Sequence, residues 1–191
     1  MIRREHFNGW YSTLAYYFAL TVIDIPIIFL TTLIYVSITY FLTNQPMELY
    51  RFGAYYITIL LLSFAAQGLG LISGSITNVK FTLILGSFFI CPFVLFSNFF
   101  IQLKDTSVFF HWIFETSFIK HALTGSLVAI FGFERQKMDC LAKICHYTLP
   151  QKFLESLEIS DDYTNVLIKL SCFVVIFHTV AFFIIRCRLK H

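Results

Sequence analysis

Four stretches of the chain, residues 20–42, 52–76, 81–101 and 166–185, run almost without charge, and polar residues collect between them. Each is long enough, at about 20 residues, to cross a bilayer core of about 30 Å as a helix. The third stretch, FTLILGSFFICPFVLFSNFFI, is not uniformly apolar: it carries Gly86, Ser87, Cys91, Pro92, Ser97 and Asn98. A helix meeting only lipid has no use for such residues. One that lines a cavity or packs on neighbouring helices does, and composition leaves both roles open. The second stretch contains Gln67 and the pair Gly70 and Gly74, a spacing that lets helices approach closely. Only residues 77–80 separate the second and third stretches, so these two are expected to be antiparallel neighbours.

The first stretch contains Asp24, followed by Pro26. An acid at the centre of a span costs about 2.5–3.5 kcal/mol. Asp24 is therefore expected near the helix start, where the dipole favours negative charge; a proton-relay role is the alternative. Pro26 is tolerated at the same place, where its missing N–H costs least.

The intervening segments set the topology. Residues 1–18 carry Arg3 and Arg4, then Trp10, Tyr11, Tyr16 and Tyr17, a basic and aromatic mixture that marks a membrane interface and predicts an interfacial helix. Residues 102–163 hold most of the acids. Within them residues 108–131 are still apolar, but Glu115, Lys120 and His121 interrupt the run. Short or re-entrant helices at the membrane edge fit that pattern, with Glu115 and His121 as a solvated pair at the interface. Four spans put both chain ends on one side. Arg3, Arg4, Lys80, Arg186, Arg188 and Lys190 then share it, and the positive-inside rule makes that side cytosolic. Residues 102–163 fall outside.

Composition agrees: the chain is 58% hydrophobic and 13% charged, against about 25% charged in soluble domains. A net charge of +3, scattered along the chain, gives no nucleic-acid footprint. The expected fold class is therefore an all-α integral membrane protein. Cys140 and Cys145 lie in the predicted outer segment, where a disulfide persists, provided a turn brings them together. A zinc site from Cys140, Cys145 and His146 lacks an evident fourth ligand. Cys91, Cys172 and Cys187 lie in or beside the membrane and are expected to be free thiols. Neither H-E-x-x-H nor paired acids within the spans point to a membrane-embedded enzyme.

The order of motifs resembles a known family. Residues 4–17 enter a span with Asp24-Ile25-Pro26; residues 43–52 form a T-x-Q-P-x-E-x-x-R-F loop; residues 67–74 read Q-G-L-G-L-x-x-G. Then follow residues 96–100, the Cys140/Cys145 segment and the basic residues 186–190. Together they resemble the C-terminal part of the transmembrane domain of G-subfamily ABC half-transporters, the group that includes eye-pigment-precursor and sterol exporters. The resemblance covers essentially the whole chain. It implies family spans three to six, preceded by a coupling segment, here Arg4, Glu5, Tyr11 and Tyr17, which touches an ATP-binding domain. It implies that residues 81–101 line a cavity shared by two half-transporters, with Ser87, Cys91 and Val94 facing it. It also implies that Phe99 and Phe100 form an apolar plug toward the exterior.

The chain departs from that family at several points. Leu20 stands where relatives often have lysine, Asn98 where glycine is usual, and Lys120-His121-Ala122 where an Arg-Tyr-Gly-like run is expected. No G-x-x-x-x-G-K-[ST] phosphate loop occurs in the sequence. The expectation is therefore a partial domain that neither hydrolyses ATP nor pumps by itself, with ATP and Mg bound by a nucleotide-binding domain absent from this chain. The partner implied is a second half-transporter, identical or different. The location implied is the plasma membrane or a vesicle membrane, with both termini cytosolic. The resemblance then implies ATP-driven export of lipid, sterol or other hydrophobic small molecules by alternating access. A non-catalytic four-span scaffold is the alternative.

Overall fold

The computed structural model describes residues 12–76, 79–101, 106–133, 135, 149–159 and 161–190. Among them every regular element is a helix: α1 (Thr13–Leu42), α2 (Leu49–Ile76), α3 (Val79–Leu95), α4 (His111–Thr116), α5 (Phe118–Phe131), α6 (Pro150–Ser156) and α7 (Tyr163–Lys190). A single 3-10 turn, Val108–Phe110, leads into α4. The all-α membrane class expected from sequence is what forms. Three of the described helices, α1, α2 and α7, are long and apolar enough to cross a bilayer. Their large apolar side chains point outward: Ile23, Leu30, Ile34, Ile168 and Phe183 are each more than half exposed. In water such a surface would be an aggregation liability; hydrocarbon covers it at no cost.

α1 starts earlier than the predicted span. The Ser12 side chain caps it, accepting the Ala15 N–H at 3.2 Å. Residues 13–18 of the predicted interfacial segment are thus continuous with the first span. The early start also corrects two expectations. Asp24 and Pro26 lie three turns into α1, not at its beginning, so neither the helix dipole nor a terminal position accounts for them. Asp24 instead accepts a hydrogen bond from Gln67 Nε2 of α2 at 2.7 Å.

α3 ends early. It is helical only to Leu95, with turn and bend structure over residues 96–101. Its 17 residues measure about 26 Å, slightly less than a bilayer core. Pro92 lies inside it, and Asn98 beyond its end adopts a left-handed φ of 68°. Asparagine tolerates that conformation best after glycine. The Asn98 side chain then donates to the Leu157 carbonyl at 3.0 Å, tying the end of this stretch to the turn after α6.

α2 is the hub, packed on α7, α5, α1 and α3. Apart from Arg51 near its start, its buried positions, Ala54, Thr58, Ala65 and Gly68, recur at helical spacing and are all small, which brings the partner backbones close. A Cβ on Gly68 would lie 2.8 Å from the Phe177 Cβ of α7. A Cβ on Gly125 of α5 would lie 2.9 Å from Thr58 and 3.1 Å from Val166. Ala122, Val166 and Leu170 form the core where α2, α5 and α7 meet. A Cβ added at Gly70 or Gly74, the pair expected to serve close packing, would meet no neighbouring helix within 4 Å among the described residues; Gly68 has that role.

Candidate functional site

Three groups of side chains carry chemistry. The first is the outward face of α3. Ser87 and Cys91 are exposed and Val94 is half-buried, and their spacing puts them on one helical face. Phe93 and Phe96 anchor α3 inward, meeting Phe118 and Phe114 edge-on at centroid distances of 5.5 and 5.3 Å. The Ser117 hydroxyl adds a bond to the Phe93 carbonyl at 2.9 Å. Beyond the helix end, Phe99 and Phe100 are 67% and 64% exposed and meet each other edge-on at 5.2 Å. Of the residues expected to line a cavity and to plug it, Ser87, Cys91, Phe99 and Phe100 are therefore exposed in this chain and Val94 is half-covered.

The second group lies on the short helix pair α4 and α5. Lys120 and His121 are buried, at 9% and 2% exposure, whereas the Glu115 side chain is 56% exposed, so of the pair expected to be solvated at the interface only Glu115 is. Lys120 Nζ pairs with Glu115. Lys169 of α7 lies 3.7 Å from Glu115 and 3.2 Å from Asp161. His121 Nε2 sits 3.0 Å from the Glu115 carbonyl oxygen. Burial alone would raise the Glu115 carboxyl; the hydrogen bond and charge of Lys120, then the charge of Lys169, outweigh it and hold the group below its ordinary value. Burial draws the His121 imidazole down, so it is neutral at pH 7. Lys120 is the buried member of this network and needs the Glu115 carboxylate, because a lone buried charge is costly.

The C-terminal end of α5 is held by two arginines. Arg51, only 4% exposed, donates to the carbonyls of Gly132 at 2.7 Å, Phe133 at 3.0 Å and Ile130 at 3.3 Å, and to Glu48 at 2.5 Å. Arg135 donates to the Ile130 carbonyl at 3.1 Å and to Gln45 at 3.0 Å, with its guanidinium 5.3 Å from the Phe131 ring centre. Cations at a helix C-terminus satisfy its orphan carbonyls and oppose its dipole. Arg51 opens the second predicted span, and its one sequence signal was a charge placed directly before an apolar run.

The third group joins α1, α2 and α7 in the other half of the helices. The Tyr17 hydroxyl lies 2.9 Å from His178 Nδ1 and 3.0 Å from the His178 carbonyl, and its ring meets Phe182 edge-on at 5.5 Å. Together with the Asp24–Gln67 bond it ties the start of α1 to its neighbours. Of the expected coupling residues, Tyr17 thus joins α1 to α7, whereas Arg4, Glu5 and Tyr11 lie outside the described residues. Cys140 and Cys145 also lie outside them. Cys91, Cys172 and Cys187 are free thiols. No cluster of metal ligands occurs among the described residues.

The sequence profile of the ABC-2 type transporter family matches residues 1–131. The chain belongs to that family. It is similar to ABC transporter G family member 22 of Arabidopsis thaliana, 34% identical over 122 residues covering 63% of this chain and 16% of the relative. Similarity to ABC transporter G family member 1 of Dictyostelium discoideum extends over 98% of this chain, at 25% identity, and covers 25% of the relative. The ABC transporter ATP-binding protein/permease wht-1 of Caenorhabditis elegans is 24% identical over 63% of this chain and 18% of the relative. The chain thus spans a quarter or less of the relatives' length. Within the family it is a transmembrane domain of the G type, and the helices described above are its membrane part.

Proposed function

We propose that this chain forms the membrane half of an ATP-driven exporter of lipid, sterol or another hydrophobic small molecule, working by alternating access. The supporting observation is the exposed face of α3. Ser87 and Cys91 present small polar groups on an apolar helix, with Val94 beside them and the Phe99/Phe100 pair at the outer end. Paired with the same strip of a second half-transporter, it encloses a cavity sealed outward by aromatic rings. An amphiphile fits such a cavity through its apolar body, with the few polar groups fixing its orientation.

In this reading both termini are cytosolic, and a nucleotide-binding domain that binds ATP and Mg drives the cycle. Its closure acts on the Arg4–Tyr17 segment. Tyr17, bonded to His178, passes that movement to α7 as well as α1. Cys140 and Cys145 bridge in the outer segment. The membrane is that of the cell surface or of a vesicle.

The test uses a full-length transporter carrying this domain. Phe99→Ala with Phe100→Ala removes the apolar seal and is expected to raise basal ATPase and to change export of a fluorescent lipid severalfold. Unchanged export together with unchanged basal ATPase would remove the basis for the plug.

A further inference from the structure

At the outer end of α3 burial reverses across one peptide bond. Ser97 and Asn98 are 4% and 8% exposed, whereas Phe99 and Phe100 are 67% and 64% exposed. The helix closes just before this point: the Phe96 N–H donates to the Pro92 carbonyl at 2.9 Å, and the Ser97 N–H to the Val94 carbonyl at 3.3 Å. Asn98 follows with its left-handed φ of 68°, a common way for a helix to end. With that turn the Asn98 side chain is buried, its amide donating to the Leu157 carbonyl at 3.0 Å, and the two rings stay outside.

Ending the helix needs only a residue that tolerates this φ, and glycine does so at no steric cost. What asparagine adds is a donor. Its acceptor lies in the turn after α6, and α6 is fixed to α5 through Phe131 and Phe153, whose ring centres are 5.0 Å apart. α5 is in turn anchored at that end by Arg51. The contacts before Asn98, Ser117 to the Phe93 carbonyl and Phe96 edge-on to Phe114, hold the helix itself. Beyond Phe96, Asn98 ties the segment that carries the rings to the α5–α6 unit.

We infer that Asn98 is the latch of the outward seal, a positioning residue whose amide holds Phe99 and Phe100 across the exit in the resting transporter and whose bond to Leu157 breaks when the exit opens. The inference rests on the reading of Phe99 and Phe100 as the plug and adds what controls it. One hydrogen bond suits the task. It sets the resting position, yet its net worth is small enough for a nucleotide-driven movement of α3 against α6 to break it in every cycle.

The experiment uses a full-length transporter carrying this domain, reconstituted in proteoliposomes with its nucleotide-binding domain in the lumen and no nucleotide present. A membrane-impermeant maleimide is added outside, and its reaction with Cys91, an exposed thiol on α3, is followed by peptide mass spectrometry. Asn98→Gly keeps the left-handed turn and removes the donor. Asn98→Asp keeps the size and the turn but offers the Leu157 carbonyl an acceptor. Both should speed labelling of Cys91 about twofold to tenfold, the worth of one hydrogen bond. An Asn98 that served only to fold the chain would lower thermal stability without exposing Cys91. Phe99→Ala with Phe100→Ala is the control for the plug and should speed labelling by itself. Faster labelling in that control, but not in either Asn98 variant, would overturn the latch and leave the plug standing. Unaltered labelling in the control as well would remove the plug and the latch with it. Hydrogen exchange of the unaltered transporter in nanodiscs decides the matter if the variants fail to insert. Amides of residues 97–101 and 157–159 should then exchange faster together when ATP is added; a change in one segment alone, or in neither, would overturn the latch.

Discussion

Replacing Arg51 by methionine should loosen α5 without disturbing α1. The guanidinium is buried and serves three carbonyls at the end of α5 and just beyond it. In Arg51→Met the Ile130 carbonyl keeps the Arg135 guanidinium and the Gly132 carbonyl keeps the Arg135 N–H at 3.3 Å, but that of Phe133 loses the donor it has here. An orphaned carbonyl costs about 1–3 kcal/mol. Methionine returns part of that, because it fills similar space and removes the desolvation cost of a buried cation. The net loss is about 1–2 kcal/mol, concentrated where α5 is anchored. At about 1.4 kcal/mol per tenfold change, backbone amides of residues 122–131 should exchange about 5-fold to 30-fold faster in the nanodisc-reconstituted chain. Amides of residues 24–36 in α1, which Arg51 does not touch, serve as the internal control. Arg51→Lys keeps the charge but lacks the fork that reaches several carbonyls, and should fall between. If α5 exchanged within threefold of the unaltered rate in Arg51→Met, the anchoring argument would be wrong.

Glycine substitutions separate packing from pattern. Gly68→Ala places a Cβ 2.8 Å from Phe177 and should lower thermal stability in detergent by about 1–3 kcal/mol, whereas Gly70→Ala and Gly74→Ala meet open space and should leave it unchanged or slightly higher. Equal effects at all three positions would refute the assignment of Gly68 as the close-approach residue. A double-mutant cycle of Asp24→Ala and Gln67→Ala should return a coupling of about 0.5–1.7 kcal/mol, the range for interhelical hydrogen bonds in membranes. Additivity within 0.3 kcal/mol, on the order of the noise of such cycles, would mean the bond carries no energy.

Length and polarity alone made the membrane class readable, because hydrocarbon imposes on every long apolar run the same demand, a helix that satisfies its own backbone. The break of residues 108–131 into short helices was also legible, since charges interrupt that run before it is long enough to cross. Chain pattern could not tell which glycine faces a neighbour: Gly68, Gly70 and Gly74 look alike in sequence, and only the rotation of α2 against α7 puts Gly68 at the contact. Nor could it place Asp24, because the Ser12 cap moves the helix start back about two turns and leaves the acid a partner of Gln67, 43 residues away. His121 read as solvated for the same reason. Its burial depends on α5 packing against α7, where its ring meets Phe173, and that of Lys120 depends on Glu115 arriving from α4, since a buried charge is stable only when folding delivers its counter-charge.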